Sequence, residues 1–161
     1  MRIIIDTRWI RSLKIDGIAN FTLNITRELL KSEHQFILIT NSNEITDFLK
    51  LSLGNVKPVF YYTNCSVNSF KNVYLIPKII SKLKPDIYFS PCYPFFSPLI
   101  KGCRHVGVIH DLIPLIFPEM FKNASKKFRL FYCNKLVQKL IIKKLDTVIT
   151  VSKSTKNDLI N

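Results

Sequence analysis

Glycine is scarce in this chain, four of 161 residues. That leaves little material for a glycine-rich phosphate cradle, and the sequence holds neither a GxGxxG fingerprint nor a GxxxxGK[ST] loop. The four cysteines, Cys65, Cys92, Cys103 and Cys133, include no CxxC pair, and His34, His105 and His110 complete no zinc-type spacing with them. They read as scattered thiols in a reducing compartment, and no metal site is expected. Acidic residues are also few, 11 against 24 Lys and Arg, which leaves a net charge of +13. Such an excess implies an anionic partner, whether a nucleotide, a lipid headgroup surface or nucleic acid. No apolar run approaches the ~18 residues that span a bilayer. Met1-Arg2-Ile3-Ile4-Ile5 meets Asp6 too early for a secretory signal. A cytoplasmic protein is expected, with room for a peripheral membrane contact.

What is present is a folding chain. The apolar fraction of 47% excludes general disorder, and the length suits one ordinary domain with a real core. Ile3–Ile5 is a short, continuously apolar, β-branched run, the pattern of a strand buried on both faces, and Phe36–Ile39 reads as a second buried strand. Val56–Tyr61, Asp86–Phe89, the run ending at Ile109, and Thr147–Val151 read as further strands. Between them lie helical spacings. Ile18, Phe21, Ile25 and Leu29 form one stripe, Glu44–Leu53 a second helix and Val67–Leu83 a third, stopped by Lys84-Pro85. A proline-rich loop, Ser90–Pro98, follows the fourth strand. Pro114 and Pro118 are expected to keep the segment after Asp111 irregular. Lys122–Lys144 reads as one long basic helix, and Ser152–Ile160 begins another. The alternation predicts an α/β fold: a Rossmann-like, doubly wound, mostly parallel sheet with helices on both faces.

In such a sheet, ligands bind outside the carboxyl ends of the strands. Three loops emerge there. Val106–Ile109 delivers His110 and Asp111 side by side. An imidazole exchanges a proton near neutral pH, and a carboxylate steadies a developing positive charge. Asp is also common at helix starts, so a capping role stands beside the catalytic one. The first loop ends in Gly17-Ile18-Ala19-Asn20, where a helix N-terminus attracts anions, though a lone glycine is equally a turn residue. The last is Ser152-Lys153-Ser154, whose hydroxyls suit either a sugar or an N-cap. The basic stretch interleaves Lys126, Lys127, Arg129 and Lys135 with Phe128, Leu130, Phe131, Tyr132 and Leu136. It reads as a solvated helix with a core stripe or as a face resting on anionic lipid.

Four motifs in order resemble the N-terminal domain of the GT-B glycosyltransferases of family 4, a retaining group that includes mannosyltransferases. They are Asp6-Thr7-Arg8 with Gly17-Ile18-Ala19-Asn20-Phe21-Thr22; Asp86-Ile87-Tyr88-Phe89-Ser90-Pro91; His110-Asp111-Leu112-Ile113-Pro114 with Pro118-Glu119; and Asp146–Ser152 with Ser154 and Asp158-Leu159-Ile160. The resemblance covers nearly the whole chain. Ala19 and Asn20 depart from it where the family often has glycine and arginine. A methyl group at Ala19 is expected to narrow the approach to a donor phosphate.

The resemblance implies the acceptor-binding half of a GT-B enzyme, residues 1–161, ending before the linker and without the donor-binding C-terminal domain. It implies transfer of a hexosyl group, mannosyl included, from a nucleotide-sugar to a lipid-linked, lipopolysaccharide or polysaccharide glycan at the inner face of the plasma membrane. The nucleotide-sugar is then a substrate, met mainly by the other domain. No cofactor and no metal are implied. His110 and Asp111 are the implied catalytic pair. Gly17, Ile18, Ala19, Asn20 and Ser152 are the implied cleft residues, and Lys126, Lys127, Arg129 and Lys135 the membrane contacts. The rival reading is a non-catalytic module that holds a glycan, a membrane or a partner protein. A nucleic-acid partner is not expected, because no recognition motif accompanies the charge.

Overall fold

The computed structural model describes residues 1–10, 16–54, 56–67, 69–92 and 100–160. Six strands form one sheet: β1 (Arg2–Asp6), β2 (Gln35–Thr40), β3 (Val59–Tyr62), β4 (Ile87–Ser90), β5 (Arg104–Ile109) and β6 (Thr147–Thr150). Every pairing is parallel, in the order β3-β2-β1-β4-β5-β6. This is the doubly wound Rossmann-like order, with the direction of winding reversed between β1 and β4. All the expected strands form, the third starting at Val59 rather than Val56.

The alternation of β1 explains the two layers. Ile3 and Ile5 face one side and pack with α1 (Gly17–Leu29) and α2 (Asn43–Ser52) through Leu23, Ile45 and Leu49. Ile4 faces the other side, with Ile37, Ile39 and the Ile76, Ile79 and Ile80 of α3 (Asn72–Leu83). Burial on both faces is why β1 and β2 carry no polar alternation, whereas the edge strands β3 and β6 are only partly buried. A third cluster joins Trp9, Ile109, Leu112 and Ile141 beside the β4–β5 half of the sheet.

Helix ends follow local chemistry. The Asp16 carboxylate caps α1 by accepting from the Ala19 N–H at 2.8 Å. Its stripe of Ala19, Thr22, Leu23 and Thr26 is buried. Lys84, with φ 46°, closes α3 in the left-handed conformation.

Three expectations are corrected. The helix expected from Val67 begins at Asn72, because the Asn72 amide donates to the carbonyls of Ser66, Val67 and Ser69 and holds that stretch as a turn. The segment after Asp111 is regular: α4 (Ile113–Ile116) and a 3-10 turn, Pro118–Phe121, each with proline in its first turn. No intrahelical N–H is needed at that position. The long basic helix is two short ones, α5 (Lys126–Tyr132) and α6 (Lys135–Ile142). Asn134 separates them, accepting from the N–H groups of Leu136 and Val137 at 3.0 and 3.2 Å. A final helix, α7 (Lys153–Ile160), follows β6. Residues 93–99 of the proline-rich loop lie outside the described residues.

Candidate functional site

The carboxyl ends of β1, β4 and β5 meet at a cavity of about 530 Å³. Trp9 comes from the 3-10 turn after β1, Ile18 from the start of α1, Cys92 from the loop after β4, and His110 and Asp111 from the end of β5. The far wall is aromatic, built from Phe121 and from Phe128, Phe131 and Tyr132 of α5. A crevice beside the winding reversal is where a doubly wound sheet binds ligands.

His110 is tied to three neighbours. Its Nε2 lies 2.9 Å from the Pro91 carbonyl, which can only accept, so Nε2 carries the hydrogen. In the neutral ring, Nδ1 is then the acceptor. The Phe21 ring of α1 meets the imidazole edge-on at 5.0 Å. The His110 carbonyl accepts from the Thr155 hydroxyl of α7 at 3.2 Å. Asp111 is exposed, and its Oδ1 accepts from the Ile113 N–H at 3.1 Å, so it starts α4 and lines the cavity at once.

The other expected site residues divide. Ile18 lines the cavity. Gly17 is exposed, and a Cβ there would meet nothing within 4 Å, so packing does not require glycine. Asn20 is exposed and accepts from the Asn24 amide on its own helix. Ala19 is buried in the core, so its methyl points away from any ligand, which corrects the expected obstruction at a donor phosphate. Asp16 already holds the Ala19 N–H, and its negative charge opposes an anion at that helix end. Ser152 does not line the cavity. Its Oγ accepts from the Thr155 N–H at 3.0 Å and pairs with the Thr155 hydroxyl, which in turn holds His110.

Among the expected membrane contacts, Lys126, Arg129 and Lys135 are exposed. Lys127 instead turns inward, with its ammonium 4.6 Å from the Phe70 ring centroid, and lines the cavity. Among the described residues, no three His, Cys, Asp or Glu side chains converge as metal ligands. Nor is any described helix long and apolar enough to cross a membrane.

Two features escaped the sequence reading. Thr155 carries no motif signal beyond its place in a capped helix start. The other is a buried polar node at the carboxyl end of β1. Asp6 and Arg8 pair through two contacts, Nε–Oδ1 at 2.8 Å and a terminal nitrogen to Oδ2 at 2.6 Å. Tyr88 of β4 donates to Asp6 at 2.7 Å, and Arg8 donates to Asn72 and to the Cys65 carbonyl. Burial works to raise the Asp6 pKa, but the Arg8 charge and the Arg8 and Tyr88 hydrogen bonds outweigh it and hold it below the usual value. Burial disfavours the Arg8 charge as well, yet Asp6 raises its pKa overall. The Asp-x-Arg motif therefore braces β1, β4 and the β3–α3 connection, and its charges are satisfied within the protein.

Comparison with known proteins gives two results. The chain is 27% identical over 137 residues, 83% of its length, to a GTPase Der of Campylobacter curvus (strain 525.92), and it spans 29% of that protein. No GTP-binding signature accompanies this likeness, since none of the four glycines begins a Gly-Lys-Ser/Thr. The model of Glycosyltransferase Family 4 matches residues 15–161, which include the α1 start, the His110–Asp111 turn and the β6–α7 junction. With its all-parallel Rossmann-like sheet, consistent with one half of a GT-B architecture, the chain belongs to Glycosyltransferase Family 4.

Proposed function

We propose that the chain is the acceptor-side half of a retaining glycosyltransferase. It would transfer a hexosyl group, mannosyl included, from a nucleotide-sugar to a lipid-linked or polysaccharide glycan. One observation carries this reading: the cavity at the carboxyl edge of the sheet is bordered by His110 and Asp111. With Nε2–H held on Pro91, His110 Nδ1 is the free acceptor that an attacking hydroxyl can meet. The Asp111 carboxylate, exposed at the same rim, is suited to steady positive charge as the donor bond lengthens. In this reading the donor nucleotide is held mainly by a second domain, with Gly17 and Ile18 contributing backbone N–H groups beside the Asp16 cap. The donor is a substrate, and side chains supply the charge, so no resident cofactor is invoked.

The same reading places the chain at the cytoplasmic face of a membrane. Ile116, Phe117 and Met120 are exposed next to Lys122, Lys126 and Arg129. Apolar residues flanked by basic ones suit an anionic bilayer, where each basic residue adds about 1 kcal/mol. The non-catalytic alternative is favoured by a different observation: Asp16 and Ser152 each cap a helix start and Asp111 braces the turn before α4, roles that need no ligand.

The test is transfer from a panel of nucleotide-sugars by the chain mixed with, or fused to, a family 4 donor-binding domain. His110→Ala is expected to lower turnover by roughly 10²–10⁴ with the circular dichroism unchanged. Transfer indifferent to both His110→Ala and Asp111→Ala would remove the proposed site, and absence of transfer with every donor would favour the binding module.

A further inference from the structure

The cavity is built for hydrocarbon more than for sugar. Apart from His110, Asp111, Ser125, Lys127 and Gln138, its lining is apolar or aromatic. Each of those five already has a protein partner, and the acceptor capacity left to a ligand includes His110 Nδ1 and the second Asp111 oxygen, both at one end of the cavity. Ser125 Oγ caps the Phe128 N–H at 3.1 Å, Gln138 donates to the Phe131 carbonyl, and Lys127 sits on Phe70. His110 and Asp111 hold Pro91 and Ile113. A bare hexose enclosed here would leave most of its hydroxyls without partners, and each unpaired polar group is costly. The aromatic wall is also committed to itself, with Phe128 stacked on Tyr132 at 4.4 Å and on Phe121 at 5.4 Å.

The charge around this wall is mostly basic: Lys122, Lys126, Lys127 and Arg129 outnumber Asp111 at the rim and Glu119 in the turn before Phe121. Lys122 and Lys126 lie on the same segment as Lys127, in a chain of net charge +13. We infer that the cavity binds the hydrocarbon chain of an anionic amphiphile, prenyl or acyl in type, with its phosphate-like head toward Lys127 and the exposed lysines. The hydrocarbon fills the space between Trp9, Leu112 and the Phe128–Tyr132 wall. As the identity of the acceptor, this rests on the glycosyltransferase reading; as a binding site, it does not. If that reading holds, the lipid carrier is recognised by its chain and not only by its glycan.

The protein carries its own reporter, because its single tryptophan, Trp9, lines the cavity. The full chain is titrated with octyl, decyl and dodecyl phosphate below their micellar concentrations, following Trp9 emission. Inorganic phosphate and methyl α-mannoside are the controls. The expected result is saturable binding that tightens by up to about fourfold per added methylene until the cavity is full. Phe128→Asp, checked for folding by circular dichroism, is expected to weaken decyl phosphate at least tenfold. Ile113→Asp, at a lining position already 46% exposed, is the second variant if Phe128→Asp does not fold. Equal responses to phosphate alone or to the mannoside, affinity independent of chain length, or no Trp9 response to any amphiphile would each overturn the inference. Binding that is seen without sugar transfer in the donor-domain assay leaves the site standing and removes only the glycosyltransferase reading.

Discussion

His105 makes acid stability a sharp test of the structure. It lies on β5 opposite Tyr88 of β4, is 2% exposed, and has its Nε2 buried with no hydrogen-bond partner. Burial lowers its pKa from 6.5 to about 4, against the opposing charges of Asp146 and Asp6. In the unfolded chain the ring takes its proton near 6.5, so between these values the unfolded state binds more protons. Stability is therefore complete above 6.5, falls as the pH drops toward 4, and levels off below. The full effect is about 3 kcal/mol, and roughly 2 kcal/mol is lost between pH 7.5 and pH 5. Asp6, whose pKa is lowered, gives its own contribution above 3.8 and loses it only at lower pH, outside this window. Urea unfolding of wild type and His105→Leu at pH 7.5 and pH 5 isolates the term. With a slope near 2 kcal/mol/M, the wild-type midpoint should fall by roughly 1 M more than that of the variant. Leucine has no ring nitrogen to bury and should be at least as stable at pH 7.5. If both proteins lose the same midpoint on acidification, His105 is not buried as the neutral ring, and the packing described for β4 and β5 is wrong.

Removing Arg8 leaves the Asp6 carboxylate buried and unpaired. Arg8→Met should destabilise by about 3–5 kcal/mol in the same urea assay, and Asp6→Asn added to it should recover part of that loss. Asn134→Ala removes the cap between α5 and α6, and thermal melts should show a loss of about 1 kcal/mol. Asp16→Ala should cost about 1 kcal/mol for the same reason, while freeing the Ala19 N–H. If a donor pyrophosphate docks at α1, the variant should bind inorganic pyrophosphate more tightly in calorimetry, and unchanged binding argues that this helix end serves only the fold.

The strands were legible because Ile3–Ile5 and Phe36–Ile39 are apolar without interruption, a pattern that only burial on both faces produces. The start of α1 was legible from Asp16-Gly17. The break at Asn134 was less so: the apolar stripe continues from Phe131 through Val137 to Ile141, and only the capping residue in its middle betrays the end of one helix and the start of the next. The His110–Asp111 turn could be placed from the strand before it, but not its bond to Pro91, which lies 19 residues away. Asp6 and Arg8 were visible only as a motif. Their purpose depends on Tyr88 and Asn72, 82 and 64 residues distant, and no local pattern specifies such partners.

The position of β1 at the centre of the sheet also has a consequence in time. Its neighbour β2 begins at Gln35, but β4, which covers its other edge, pairs Ile3 with Ile87. A ribosome adding ~5–20 residues per second takes roughly 4–17 s to cover those 84 residues. Throughout that interval the Ile3-Ile4-Ile5 edge is made but uncovered, and a nascent strand of that kind is what chaperones bind and neighbouring chains capture. The yield of folded protein should therefore depend on how fast residues 40–90 are translated, with slow codons there lowering it and slow codons after Thr150 leaving it unchanged.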